Sequence, residues 1–112
     1  MKTQVWDYDA MDDAASKMRM ALSEIDTLED IILEFEQILK QLKWECLSAN
    51  TYRTTAAHYF SAIRAGDISH QWRNKMISTE EVLLNLIELL LLNKELMQKK
   101  EEEIAKNVIR AF

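Results

Sequence analysis

Residues 11–42 read MDDAASKMRMALSEIDTLEDIILEFEQILKQL, and within them Met11, Ala14, Met18, Ala21, Ile25, Leu28, Ile32, Phe35, Leu39 and Leu42 step by three and four without a miss. That spacing is the signature of one face of an α-helix carried through successive heptads. It predicts a single amphipathic helix over about residues 7–43, on the order of 50 Å long at about 1.5 Å per residue. Asp7 or Asp9 can cap its start, and Asp12 and Asp13 then lie near its positive end. Ala15 and Leu22 flank the seam on one side and Ile31 and Ile38 on the other, which makes the apolar face wider than a two-stranded coiled coil requires. A face of that width calls for a bundle.

The pattern breaks at Lys43-Trp44-Glu45-Cys46-Leu47-Ser48, which predicts a turn over about 44–48. A second stripe follows, Ala49, Tyr52, Ala56, Tyr59, Ile63 and Gly66, again alternating by three and four. It predicts a helix running back along the first, with small residues allowing close approach and tyrosine rings filling the gaps. Two ends are open for this helix, Gly66 and about Lys75. Ser78-Thr79-Glu80-Glu81 has the Ser-x-x-Glu form of a capping box, and a further helix is expected from Thr79 to about Arg110. Leu83, Ile87, Leu90, Met97, Ile104 and Val108 mark its main stripe, interrupted by Lys94 and Glu101, while Val82, Leu84, Leu86, Leu89, Leu91 and Leu92 spread over its other sides. Leucines all round a helix predict enclosure from several directions.

Composition agrees with an all-α class. Of 112 residues 48% are hydrophobic and 29% charged, proline is absent, and Gly66 is the one glycine. Tight β-hairpins would need the missing residues. The expected architecture is one domain over 1–112, an antiparallel helical hairpin with a third helical segment, packed as a bundle. A single cysteine, Cys46, cannot close an intramolecular disulfide. The most apolar run, Val82 to Leu92, is eleven residues long and contains Asn85 and Glu88, whereas a span needs about 20, so no stable membrane insertion is expected. No basic-then-apolar leader opens the sequence, which points to a cytoplasmic protein or one exported without a cleaved signal.

The net charge of −5 is unevenly spread: residues 1–50 carry five basic and eleven acidic side chains, and residues 51–76 carry four basic and one acidic. An acidic first helix would draw a basic second one back onto it. Arg53, Arg64, Arg73 and Lys75 are too scattered to track phosphates, so nucleic-acid binding is not expected.

No Glu-x-x-His pair of the kind that holds metals in helical bundles is present, and Asp67-Ile68-Ser69-His70 offers two ligands from one loop, short of a site. His58 and Cys46 lack a third, orienting group. One glycine excludes a glycine-rich phosphate loop. No catalytic residue, cofactor or metal is expected, and the chain reads as non-enzymatic.

Trp44-Glu45-Cys46 at the turn, followed by Ser48-Ala49 and Tyr52, resembles the Trp-x-Gly turn of the small WXG (ESAT-like) helical-hairpin proteins of type VII secretion. The likeness spans about residues 7–66. Cys46 stands where that family has glycine, and Tyr8-Asp9-Ala10-Met11-Asp12 has the spacing of the family's Tyr-x-x-x-Asp/Glu export signal at the opposite end of the hairpin. The resemblance implies an adaptor, targeting factor or secreted subunit that binds another helical protein, such as a sister subunit or the helical region of an LXG toxin. Trp44 also has a plain structural explanation, an indole plugging the end of a bundle and donating to a free carbonyl. Trp6 and Trp72 would pack near the chain start and the second break. The alternative function is a cytoplasmic homodimeric bundle with a regulatory or immunity role. The partner surface is expected at Leu22, Ile31, Ile38, Leu84, Leu89 and Leu91, beside the seams rather than in them.

Overall fold

The computed structural model describes residues 4–66, 71–72, 75–76 and 78–110, with side chains for 4–66 and 78–107. Four helices dominate it: α1 (Tyr8–Glu24), α2 (Leu28–Gln41), α3 (Leu47–Arg64) and α4 (Thr79–Arg110). Each packs on its neighbours in the order α1–α2–α3–α4 and α4 closes back on α1, an all-α bundle. Two short antiparallel ladders accompany them: β1 (Val5–Trp6) with β2 (Trp44–Glu45), and β3 (Gln71–Trp72) with β4 (Lys75–Met76).

The single helix expected over 7–43 is two. The chain bends at Ile25-Asp26-Thr27, where Ile25 and Thr27 adopt extended backbone angles, and α2 returns along α1. The antiparallel sense is fixed at the open end, where Val5 pairs with Glu45 and Trp6 with Trp44, joining the residues before α1 to those after α2. Asp7 N–H donating to Lys43 O at 3.3 Å continues the join. The seam itself is as expected. Met11, Ala14, Met18, Ala21, Ile32, Phe35, Leu39 and Leu42 are buried, with Ile25 and Leu28 half-buried at the bend. Folding the seam on itself, rather than on another rod, is what hides it.

Local signals explain the remaining ends. Asp7 caps α1, its Oδ1 accepting from Ala10 N–H at 2.9 Å. Cys46 caps α3 in the same manner, Sγ accepting from Ala49 N–H at 3.4 Å. Ser78 and Glu81 form the reciprocal box their spacing predicts: Glu81 N–H donates to Ser78 Oγ and Ser78 N–H to Glu81 Oε2, both at 3.2 Å. Gly66, at φ +78°, takes the left-handed position just past α3, and its N–H donates to Ile63 O at 3.1 Å. Of the two possible ends for the second helix, the glycine is therefore the one used.

The core is built from all four helices and ends on α4 at Leu90. Phe35 and Phe60 meet edge to face at 6.3 Å across α2 and α3, and Tyr52 donates to Leu86 O of α4 at 2.5 Å. Phe60 takes the central position that the stripe assigned to Tyr59, which is half-buried beside it. On α4, Leu83, Leu86, Ile87 and Leu90 face inward. Of the two charges that interrupt its stripe, Lys94 pairs with Asp12 of α1 at 2.6 Å, while Glu101 lies near Tyr8, whose hydroxyl makes no hydrogen bond among the described residues. No helix among the described residues is long and apolar enough to cross a membrane.

Candidate protein-binding face on the fourth helix

The six side chains expected to meet a partner divide into three groups. Ile31 and Ile38, 8% and 7% exposed, belong to the protein's own core. They flank the seam on α2, and the return of α2 along α1 encloses them; the expectation of a partner surface there is corrected. Leu22 and Leu91 are half-buried against the same core. Leu84 and Leu89, at 39% and 38%, do face solvent.

Leu92 and Leu96 lie on the side of α4 opposite the buried stripe and extend that exposure. With Leu89 they are three and seven residues apart, so the three side chains form one line along the outer side of the helix. Leu92 is 48% and Leu96 58% exposed. Leu47, at the first turn of α3 and 82% exposed, shares a shallow groove with Leu89 that Thr51, Thr55 and Asn93 complete. The other edge of the stripe is acidic, with Glu88 and Glu95 beside Leu89 and Leu92. Leu92, Leu96 and Leu47 were not among the expected partner residues. The signal for the first two was present, since a helix with more leucines than one face can hold must expose some of them. Leu47 carried none, sitting alone at a turn.

The end of the bundle that carries Trp44 is a packed aromatic cluster. Trp44 is fully buried, its ring centre 5.5 Å from Trp6 and 5.4 Å from Tyr52, and Trp6 in turn lies 6.4 Å from Tyr8. Burial pushes the Tyr52 phenol up, and burial with the Glu101 carboxylate beside it pushes Tyr8 up to about 12. The indole N–H of Trp44 makes no hydrogen bond among the described residues, contrary to the expectation that it would serve a free carbonyl. Those carbonyls are taken by Arg53. Its Nε donates to Leu39 O at 3.2 Å, Nη2 to Leu42 O at 2.9 Å and Nη1 to Trp44 O at 2.8 Å, so one guanidinium closes the end of α2 and the turn after it. Arg64, at the other end of α3, donates to Glu29 at 3.1 Å and to Glu36 of α2. Of the basic side chains in the second segment, Arg53 thus serves backbone carbonyls at the end of α2 and Arg64 pairs with the acids of α2.

Cys46, half-buried, serves as the cap of α3. His58 is exposed on α3. Among the described residues no three His, Cys, Asp or Glu side chains gather as metal ligands would. Asp67 and His70 lie outside the described residues, as do the side chains of Trp72, Arg73 and Lys75.

No protein-family model, no curated protein and no solved structure matches this chain. What the geometry defines is a class: a closed helical bundle with an apolar line left on the outside of one helix.

Proposed function

We propose that this chain is a non-enzymatic helical adaptor, targeting factor or secreted subunit that takes a helix of another protein along the outer side of α4. The observation that carries the reading is the line Leu89, Leu92, Leu96, exposed at helical spacing with Leu47 beside it. Buried apolar anchors at i, i+3 and i+7 are the contacts by which one amphipathic helix reads another. Glu88 and Glu95 border the line, which favours a partner helix with lysine or arginine next to its own apolar stripe.

The finer assignment, to type VII secretion with a sister subunit or toxin helix as partner, rests on the likeness of Trp44-Glu45-Cys46 to the Trp-x-Gly turn. In its favour, that turn joins two antiparallel helices, α2 and α3. Against a simple hairpin of the WXG kind, α2 has only 14 residues and α1 and α4 complete a bundle. The test is co-expression with the long helical region of a cargo protein encoded beside it. A stoichiometric complex is expected, lost in Leu92→Glu/Leu96→Glu while that variant keeps its helix content and melting temperature. A chain that stays uncomplexed with each such region, or a variant that binds as well as the wild type, overturns the reading.

A further inference from the structure

The bend between α1 and α2 packs Ile25 and Leu28 on the core but carries few hydrogen bonds. The ladder of α1 ends with Ile25 N–H donating to Ala21 O, that of α2 begins with Ile31 N–H donating to Thr27 O, and the five N–H groups between, Asp26 to Asp30, make no backbone hydrogen bond among the described residues, the first turn of α2 being open as at any helix start. No glycine or proline enforces the turn. Thr27 stands at the cap position of α2, yet its hydroxyl donates to Asp30 Oδ2 at 2.5 Å and no backbone N–H is capped. The apolar steps Ala21, Ile25, Leu28, Ile32 meanwhile keep helical phase through the bend. A turn between two independent helices has no reason to keep it; a continuous helix does. Such a helix would also make all five missing bonds.

We propose that the α1–α2 hairpin opens at residues 25–27 into one helix from Tyr8 to Gln41, and that two copies of the chain then exchange α1. The site that receives α1 fits α1, so a second copy is its occupant. The β1–β2 ladder, the Trp6–Trp44 contact and the Lys94–Asp12 pair would all re-form between chains. Every native contact outside the joint is kept, which is the condition for a swapped dimer. The exchange involves the inner side of α4 and leaves Leu89, Leu92 and Leu96 uncovered, so it stands or falls apart from the partner reading above.

The experiment is sedimentation of the full chain after refolding at rising concentration, with two variants. Leu28→Pro suits the closed hairpin, because Leu28 is the first residue of α2, its N–H makes no backbone bond among the described residues, and Thr27 before it is already extended. In a continuous helix it removes a ladder bond and clashes with the preceding turn. Asp26→Ala/Thr27→Ala has the opposite bias, since alanine favours helix over turn. The double variant is expected to raise the dimer association constant at least tenfold, and Leu28→Pro to lower it at least tenfold. The direct readout is the distance between labels at Asp13→Cys and Gln41→Cys, in a Cys46→Ser background and diluted among unlabelled chains. Asp13 and Gln41 line one groove in the closed form. In a single helix they would lie about 42 Å apart. A double variant that stays monomeric, or a dimer whose labels remain as close as in the monomer, overturns the proposal; that distance decides the matter even where Leu28→Pro fails to fold.

Discussion

Arg53→Ala tests whether one guanidinium holds the α2–α3 corner. The side chain donates to three carbonyls, Leu39, Leu42 and Trp44. A hydrogen bond from a charged donor contributes about 1.5 to 3 kcal/mol, but the three share one side chain and a half-buried corner where water can partly replace them, so a total of about 2 to 4 kcal/mol is expected. A chain of this length unfolds with an entropy that turns each kcal/mol into about 4 °C, which gives a drop of roughly 8 to 17 °C in Tm. Thermal and urea unfolding followed by circular dichroism measures it, and in a Trp72→Phe background tryptophan emission reports the corner, where Trp44 lies against Trp6 and Tyr52. Arg53→Lys keeps the charge and cannot span three acceptors, so it should recover no more than about a third of the loss. An alanine variant within about 0.5 kcal/mol of the wild type, or a lysine variant equal to it, would refute the reasoning.

Ile31→Glu/Ile38→Glu should abolish cooperative unfolding rather than merely detach a partner, since both positions are enclosed between α1 and α2 and buried unpaired carboxylates are costly; loss of the helical signal at 25 °C checks it. Tyr52→Phe should cost about 0.5 to 1.5 kcal/mol in urea at neutral pH, through the bond to Leu86 O. Because burial raises the Tyr52 pKa, the folded state holds its proton more tightly than the unfolded chain. The wild type therefore keeps this contribution below about pH 10 and loses it as pH rises through the folded pKa, and Tyr52→Phe should unfold at a more alkaline midpoint. Gly66→Ala should lower stability by about 1 kcal/mol, because its φ of +78° is one that L residues rarely adopt and no neighbour crowds the position; Gly66→Asn should recover part of the loss.

The seam from Met11 to Leu42 was legible because period alone identifies which residues share a face. Whether the axis continues is a separate matter. At Ile25-Asp26-Thr27 no glycine, proline or change of phase announced the bend, and only tertiary contacts select it. The same long range hid the β1–β2 ladder, two residues pairing with two others about forty positions away. Arg53 had a faint signal. A helix ending at Gln41 without a following glycine leaves its last carbonyls to be served by something else, and a basic side chain is a usual answer. The capping box at Ser78 was legible because it is a local device whose chemistry lies within four residues, whereas Gly66 was one of two possible ends for its helix, since a glycine in a helix costs only about 1 kcal/mol that packing can offset. The candidate face was half legible: surplus leucines on α4 were evident, but which of them stay outside depended on where α1 and α3 come to lie.

The same surplus becomes informative when helix lengths are compared. α4 has 32 residues, about 48 Å, while α1 and α3 have 17 and 18, about 26 Å. Antiparallel packing sets Asp12 against Lys94 and Tyr8 beside Glu101, so α1 ends where α4 still has several residues to run. From Glu101 to Asn107 the helix is exposed on all sides, Ile104 included. A partner helix laid along Leu89, Leu92 and Leu96 would therefore continue onto the projecting turns and set its basic residues against Glu102 and Glu103. Exposed pairs of this kind contribute little to affinity but fix register and speed association at low salt. Reversing Glu102 and Glu103 to lysine should then slow association several-fold at low ionic strength and leave dissociation nearly unchanged, whereas Leu92→Glu should act on dissociation. Equal effects on both rates would show that the projecting turns are no part of the contact.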